Sequence, residues 1–271
     1  MLVSSACFAL MSFCVKLSSH SYFPLEILFY RTAFGALVLA GGCLVQRQNP
    51  LTPNLLGHVN RTLMGYASMC ALFYAVSRLP LSTAVTLNYT SSIFFVLTCT
   101  LRLREPLEMR AMLSLVLGFA GILWLLQPTF TPDLWLPGVI GLISGVTAGV
   151  ATFQVRELGR MDEAPWRIVF WFFTLSSLLG WLVVHFSTGF HSFDLHNTGP
   201  LAGVVICGLV GQLAMTQAYK DGNKFLAASL AYLTVVFSAL LGWVIWGDSL
   251  GMSGVLAMLL IVLSGMMAAR R

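Results

Sequence analysis

Ten apolar runs, each close to the length that crosses a bilayer, divide this 271-residue chain almost from end to end. They cover approximately residues 1–19, 24–45, 58–77, 81–101, 107–127, 136–156, 165–186, 199–219, 224–246 and 250–269. About 20 apolar residues in a helix span the hydrocarbon core of a membrane. The links between runs are mostly short and end in Pro, Gly or Asn, which predicts antiparallel helical hairpins. A soluble core is excluded by amount: 58% of the residues are hydrophobic and 9% charged, where soluble domains carry roughly a quarter charged. The mean hydropathy is +0.84. Period-two alternation is absent, which argues against a membrane β-barrel. The expected fold is an all-α membrane protein of ten transmembrane helices, with the lipid bilayer as its surroundings.

Charge placement orients these spans. With both termini in the cytoplasm, the inner links and the tail carry Arg47, Arg61, Arg102, Arg104, Arg110, Arg156, Arg160, Arg167, Lys220, Lys224, Arg270 and Arg271, which is 12 of the 15 basic residues. Lys16 and Arg78 fall outside, and Arg31 lies within a span. That asymmetry favours ten spans with both ends inside. The formal net charge of +5 is therefore a topology signal, and nucleic acid is not expected as a partner.

An internal repeat runs beneath the spans. Thr86-Leu87-Asn88-Tyr89 echoes Ser229-Leu230-Ala231-Tyr232 at an offset of 143 residues. The same offset places Ala71, Ala75, Ala84, Phe94 and Leu97 on Ala214, Ala218, Ala227, Phe237 and Leu240, and Glu105 on Asp248. Pro24, Phe29 and Tyr30 match Pro165, Phe170 and Trp171, and Val15-Lys16 matches Val155-Arg156. An odd number of spans in each half gives the second half the opposite orientation. Two five-helix repeats, residues 1–130 and 131–271, are expected in the inverted arrangement by which many transporters build two openings around one site.

Other signals bear on compartment and packing. The first apolar run lacks a basic leader, so no cleavable signal is expected. Cys7, Cys14, Cys43, Cys70, Cys99 and Cys207 all lie in apolar runs with no CxxC spacing, which predicts free thiols and neither disulfide nor metal. Gly141, Gly145 and Gly149 form a ridge on span six, suited to bundle packing, to a sliding contact or to a dimer face.

The opening of span two, Pro24-Leu25-Glu26 with Arg31, the Tyr89/Tyr232 repeat, Glu105-Pro106 after span four and the two five-span halves together resemble the drug/metabolite transporter superfamily, specifically its EamA-type members. The resemblance covers essentially the whole chain. It implies a basket of ten helices whose central cavity is lined mainly by spans one, three, four, six, eight and nine. It also implies movement of small amphipathic metabolites, often amino acids or related compounds and frequently outward. Asp248-Ser249 departs from Glu105-Pro106, and this leaves the substrate class open.

A transport site needs polar groups where lipid forbids them, since each unsatisfied one costs several kcal/mol. Span four is unusually polar: Ser82, Thr86 and Tyr89 share one stripe, and Asn88, Ser91 and Ser92 an adjoining one. These residues either line a cavity or bridge helices, and Ser229 with Tyr232 inherits both readings through the repeat. Spans three and eight add Tyr74, Gln212, Thr216, Gln217 and Tyr219, and span six adds Gln154. Amides and phenols suit the orientation of a zwitterionic or heteroaromatic solute. Arg31 is expected to snorkel to the outer interface or, alternatively, to bind a substrate carboxylate. Lys16 is expected to anchor or guard the outer mouth. Glu26 is expected near an interface, and no buried acid relay for proton coupling is visible.

The function expected is therefore a secondary carrier for a small-molecule substrate, exporting or exchanging it across a bacterial inner membrane without a cofactor. Homodimerisation is left open. The rival readings are an integral membrane enzyme acting on lipid, through His185, His191, Asp194 and His196 of an outer link, and a channel. The histidine spacing matches no metal motif, and no filter segment or charge ring is present.

Overall fold

The computed structural model describes every residue except 20, 105–107, 129–131, 188, 192–197, 248–250 and 270–271. Among the described residues there are no strands, and twelve α-helices carry the chain. They are α1 (Leu2–Ser18), α2 (Pro24–Val45), α3 (Leu55–Arg78), α4 (Leu81–Tyr89), α5 (Ser91–Leu103), α6 (Met109–Leu126), α7 (Trp135–Arg160), α8 (Pro165–Ser187), α9 (Thr198–Asp221), α10 (Lys224–Ala231), α11 (Leu233–Trp246) and α12 (Met252–Ala269). A 3-10 turn, Pro132–Leu134, leads into α7. Proline opens α2 and α8, where its missing N–H costs nothing.

Eight segments are long and apolar enough to cross a membrane, counting Ser82–Arg102 and Lys224–Ile245 as one each. The shorter Leu2–Ser18 is also apolar. Helix α3 has the length, at 24 residues, but carries His58, Asn60 and Arg61 in its first two turns. The protein is thus a multi-pass membrane protein.

The fourth and ninth apolar runs differ from expectation in being broken. Helix α4 gives way to α5 at Thr90, and α10 gives way to α11 at Tyr232. Both joints keep right-handed geometry (φ −58°, ψ −17° at Thr90; φ −64°, ψ −20° at Tyr232), so each span tightens by a turn and does not reverse. The tightening is visible as hydrogen bonds to the third residue back, from Thr90 N to Leu87 O at 3.3 Å and from Tyr232 N to Ser229 O at 3.2 Å. The Thr90 hydroxyl also donates to Leu87 O at 2.6 Å, a back-bond that bends helices. Arg104 and Gly247, which are 143 residues apart, both end their helices in the left-handed conformation (φ 51° and 70°).

The major packing partners are α3 with α7, α1 with α9, α6 with α12, α2 with α8, α5 with α7 and α1 with α11. Exchanging the first six helices for the last six maps this set onto itself. Burial inside such a bundle gains little over lipid, which is as apolar as leucine, so close packing and satisfied polar groups hold it together. The glycine ridge of α7 illustrates the point. A methyl group on Gly149 would meet the Ser91 carbonyl at 2.8 Å and the Phe95 amide at 2.9 Å, and one on Gly141 would meet the Leu87 side chain at 2.8 Å. The ridge lies against the α4–α5 joint, inside the protein, as bundle packing or a sliding contact requires and a lipid-facing dimer surface does not.

Candidate functional site

The helix joints bring the two repeated tyrosines together. The Tyr89 and Tyr232 rings meet edge to face, with centroids 6.2 Å apart. Tyr232 is fully buried, while Tyr89 is half-buried. Phe119 of α6 lies 6.5 Å from the Tyr232 ring. A side chain on Gly118 would strike that ring at 2.8 Å, so glycine is what lets the phenol enter between α6 and α12. The Thr86 and Ser229 hydroxyls, one turn before each tyrosine, are buried and make no hydrogen bond. Asn88 takes the helix-bridging option: its Nδ2 donates to Ser144 Oγ of α7 at 3.2 Å.

Helix α9 presents Gln212, Thr216 and Tyr219 on one buried face. Tyr219 stacks edge to face on Phe95 at 4.8 Å, and the Thr216 hydroxyl is without a partner. Gln212 accepts a hydrogen bond from Arg31 Nη2 at 3.3 Å. Arg31 therefore does not snorkel. It is 6% exposed, runs beside Gly208, where a methyl would meet its Nε at 2.8 Å, and faces the Phe8 and Phe173 rings at 5.9 Å each.

Other sequence candidates lie elsewhere. Tyr74 is 39% exposed, and Gln217 is exposed and donates to Asp221 on its own helix. Gln154 lines a separate crevice of about 290 Å³ between α5 and α7, with Thr98, Arg102, Phe153 and Glu157. Lys16 sits exposed at the end of α1. A hollow of about 460 Å³ is a largely apolar furrow between α2 and α8 lined by Phe29, Ala33, Leu37, Phe170, Leu178 and Trp181. No charged side chain lines it, so it is not where a polar solute would be oriented.

A further charged residue was misplaced by sequence reasoning. Arg61, counted among the inner link charges, is 5% exposed, with its guanidinium carbon 3.9 Å from the centre of the Phe172 ring. A signal existed, because Arg61 falls inside the third apolar run, with Gly65 one turn later leaving room for its Nη1. Glu26, in the first turn of α2, is fully enclosed by protein. Its carboxylate accepts from the His191 backbone N–H at 2.9 Å and from the Tyr30 hydroxyl at 3.3 Å, and it meets His191 Nδ1 at 2.8 Å.

Glu163, in the link before α8, is likewise enclosed by protein. It accepts from Thr52, from Asn54 at 3.1 Å and from Arg167 at 3.0 Å, with His58 Nε2 3.8 Å away. Burial alone would raise its pKa, but the bonds from Thr52, Arg167 and Asn54 outweigh it and hold the carboxyl below the ordinary glutamate value.

Of the outer-link histidines, His191 is the Glu26 partner and His185 stacks on Trp181 at 5.2 Å, while Asp194 and His196 lie outside the described residues. So do Glu105 and Asp248. Among the described residues no three His, Cys, Asp or Glu side chains converge as a metal site. All six cysteines are free.

Comparison with known proteins agrees with this architecture. The profile of the EamA-like transporter family matches residues 1–127 and again 136–270. The pseudopaline exporter CntI of Pseudomonas aeruginosa (strain UCBPP-PA14) is 28% identical over 251 residues, spanning 91% of this chain and 86% of that protein. An uncharacterized transporter of Helicobacter pylori (strain J99) is 26% identical over 99% of this chain and 92% of its own. The S-adenosylmethionine uptake transporter of Rickettsia bellii is 26% identical over 137 residues, 49% of this chain and 46% of that protein. A solved crystal structure superposes with a TM-score of 0.82 at 19% identity, covering 99% of this chain and 96% of its own, which speaks for the fold alone. The family and these relatives are transporters, not enzymes.

Proposed function

Because the chain belongs to the EamA-like transporter family, we propose that it is a secondary carrier that moves a small amphipathic metabolite, an amino acid or related compound, by alternating access. In this reading ten spans form two inverted five-helix repeats, residues 1–130 and 131–271, with both termini in the cytoplasm of a cell inner membrane. The double match of the family profile, the self-mapping set of helix contacts and the charge asymmetry support it. The observation that carries the reading is the meeting of Tyr89 and Tyr232 at matching helix joints. Broken helices leave backbone and polar groups free at membrane depth, which is tolerated where they line a path or are covered by protein.

Substrate binds beside this aromatic pair. The Thr86, Ser229 and Thr216 hydroxyls and the Gln212 amide orient it, Lys16 stands at the mouth of the path, and the two halves alternately close either side. Export or exchange is the expected direction, the relatives' names including both an exporter and an uptake transporter. The test is counterflow in proteoliposomes with pooled amino acids, nucleobase derivatives and cationic metabolites, with and without a pH gradient. Saturable exchange of one pool, lost in Tyr89→Ala at unchanged protein abundance, is the expected result. Exchange that survives Tyr89→Ala at full rate would remove the aromatic pair from the site. Well-folded protein that exchanges no pool would count against a carrier.

A further inference from the structure

Two guanidinium groups lie in the interior of this bundle, and among the described residues no carboxylate pairs with either. Arg31 Nε, Arg61 Nε and Arg61 Nη1 have no accessible surface and donate no hydrogen bond. The described residues contain two buried carboxylates, Glu26 and Glu163, and both are already engaged, by Tyr30 and His191 in one case and by Thr52, Asn54 and Arg167 in the other. The two arginines come from opposite ends of the bundle. Arg31 is two turns into α2, whose start is tied to His191 beyond α8, while Arg61 is two turns into α3, whose start is tied to the beginning of α8.

Between them stand the adjacent rings of Phe172, over which Arg61 lies at 3.9 Å, and Phe173, which faces Arg31 at 5.9 Å. The aromatic faces offset part of the cost of burial, but they accept no N–H. A buried cation without an anion is strongly destabilising, and two such cations repel each other besides. A chain that keeps both has a use for an anion that comes and goes.

We propose that Arg31 and Arg61 form the binding site for a carboxylate-bearing solute, which makes the cargo an organic acid or an amino acid with more than one carboxylate. This rests on the carrier reading and names its substrate class. The guanidinium fork matches the carboxylate plane with two parallel N–H donors. Gln212, whose Oε1 accepts from Arg31, has its amide N–H₂ to offer, and the unpartnered Thr216 hydroxyl lies one turn along the same face. That face leads on to Tyr219, which packs on Phe95 in the same buried cluster as Tyr232. Carboxylate is favoured over phosphate because the donors are few and the walls are phenyl rings, which suits the less hydrated anion. All three free donor atoms are covered in this conformation, so the ligand reaches them when the rings of α8 or the two halves separate.

The test is thermal unfolding of the purified full chain, followed by tryptophan fluorescence, with succinate, glutarate and L-glutamate as probes. Succinamide and glutaramide, of the same skeletons without charge, and inorganic phosphate are the comparators. The expected result is a saturable rise in melting temperature with a dicarboxylate and none with its diamide. In Arg31→Gln and Arg61→Gln the apparent affinity falls by about 30-fold or more, while the ligand-free melting temperature stays level or rises because an unpaired charge has gone. Arg31→Lys restores part of the shift, and Arg78→Gln, at an exposed position, keeps all of it.

A diamide that stabilises as well as its diacid would overturn the proposal. So would glutamine variants that keep the shift, or that melt earlier without ligand and so reveal a structural role. A response to phosphate with none to any carboxylate would overturn the class assigned. Counterflow with labelled L-glutamate and L-arginine separates this inference from its premise. Exchange of arginine alone, unaffected in Arg31→Gln, leaves the carrier and removes the anion site. Carboxylate-dependent stabilisation without exchange of any probe leaves the site and removes the carrier.

Discussion

At Tyr89 the carbonyl loosened by the helix joint is satisfied from within its own span, whereas at Tyr232 it is satisfied from across the bundle. Leu87 O accepts from the Thr90 hydroxyl at 2.6 Å. Its counterpart 143 residues on, Leu230 O, accepts from the hydroxyl of Ser5 in α1 at 2.9 Å. Position 233, the counterpart of Thr90, is leucine and has no hydroxyl to give. The helix lying on the joint changes accordingly: α7 offers Gly145 and Gly149, close enough to touch backbone, while α1 offers the buried small residues Ser5 and Ala9. In a membrane a free carbonyl must find a donor. The same bend is thus kept by two different chemistries, one local and one that depends on the partner half being in place.

The largest effect expected is at the tyrosines. Tyr232→Ala empties a fully buried site beside Phe119 and should destabilise by about 3 kcal/mol or more, lowering membrane abundance, whereas Tyr89→Ala should lower transport at retained abundance. Equal losses of abundance would erase the distinction between the two joints. Next comes Gly149→Ala, whose new methyl would press on the Ser91 carbonyl and the Phe95 amide. Overpacking against backbone should cost about 1–3 kcal/mol, read as a lower melting temperature, and a neutral outcome would show that α7 can back away from the joint. Ser5→Ala should cost about 1 kcal/mol by removing the donor to Leu230 O. A matching loss in Thr90→Val would make the two carbonyls equivalent after all, and a smaller one would confirm that the local bond is the more replaceable.

The smallest effect provides a baseline far from either joint. The carboxyl of Glu163 is held below the ordinary glutamate range, so its contribution to stability is fully present above that range and fades as the pH falls through the depressed folded-state value. Melting temperatures of the protein and of Glu163→Gln should differ by a constant amount from neutral pH down to about 4 and converge below it. A gap that persists into strong acid would mean that the carboxylate charge is not what matters there.

The helical segments were legible because apolar runs of this length admit few other folds; their boundaries moved by only a few residues, and eight of them are long and apolar enough to cross a membrane. The joints were not legible, since Thr90 and Tyr232 keep right-handed helical angles and neither proline nor glycine marks them. Tyr89 and Tyr232 could be paired from their register alone, and in space they touch. Facing was read less well where neighbours in sequence point apart. Gln217 follows the buried Thr216, yet one residue of helix carries it about 100° round to the surface, and Tyr74 precedes the fully buried Ala75 in the same way. The depth of Arg31 and Arg61 was hidden for another reason. Charge counting assigns basic residues to links, and it has no means of knowing that Phe172, Phe173 and Gly208 hollow out a place for two of them.

The two engaged acids have a mechanical consequence. Glu163 fastens the start of α8 to the segment before α3, reinforced by the bonds from Arg167 to Asn49 O at 3.2 Å and from Trp171 to Pro50 O at 2.9 Å. Glu26 fastens the first turn of α2 to His191, just beyond the far end of α8. Helix α8 is in effect a strut tied at both ends, and any tilt of it against α2 and α3 must first release one tie or the other. The seam between α6 and α12 is built differently, for Ser114 and Ser264 each donate to a carbonyl of their own helix.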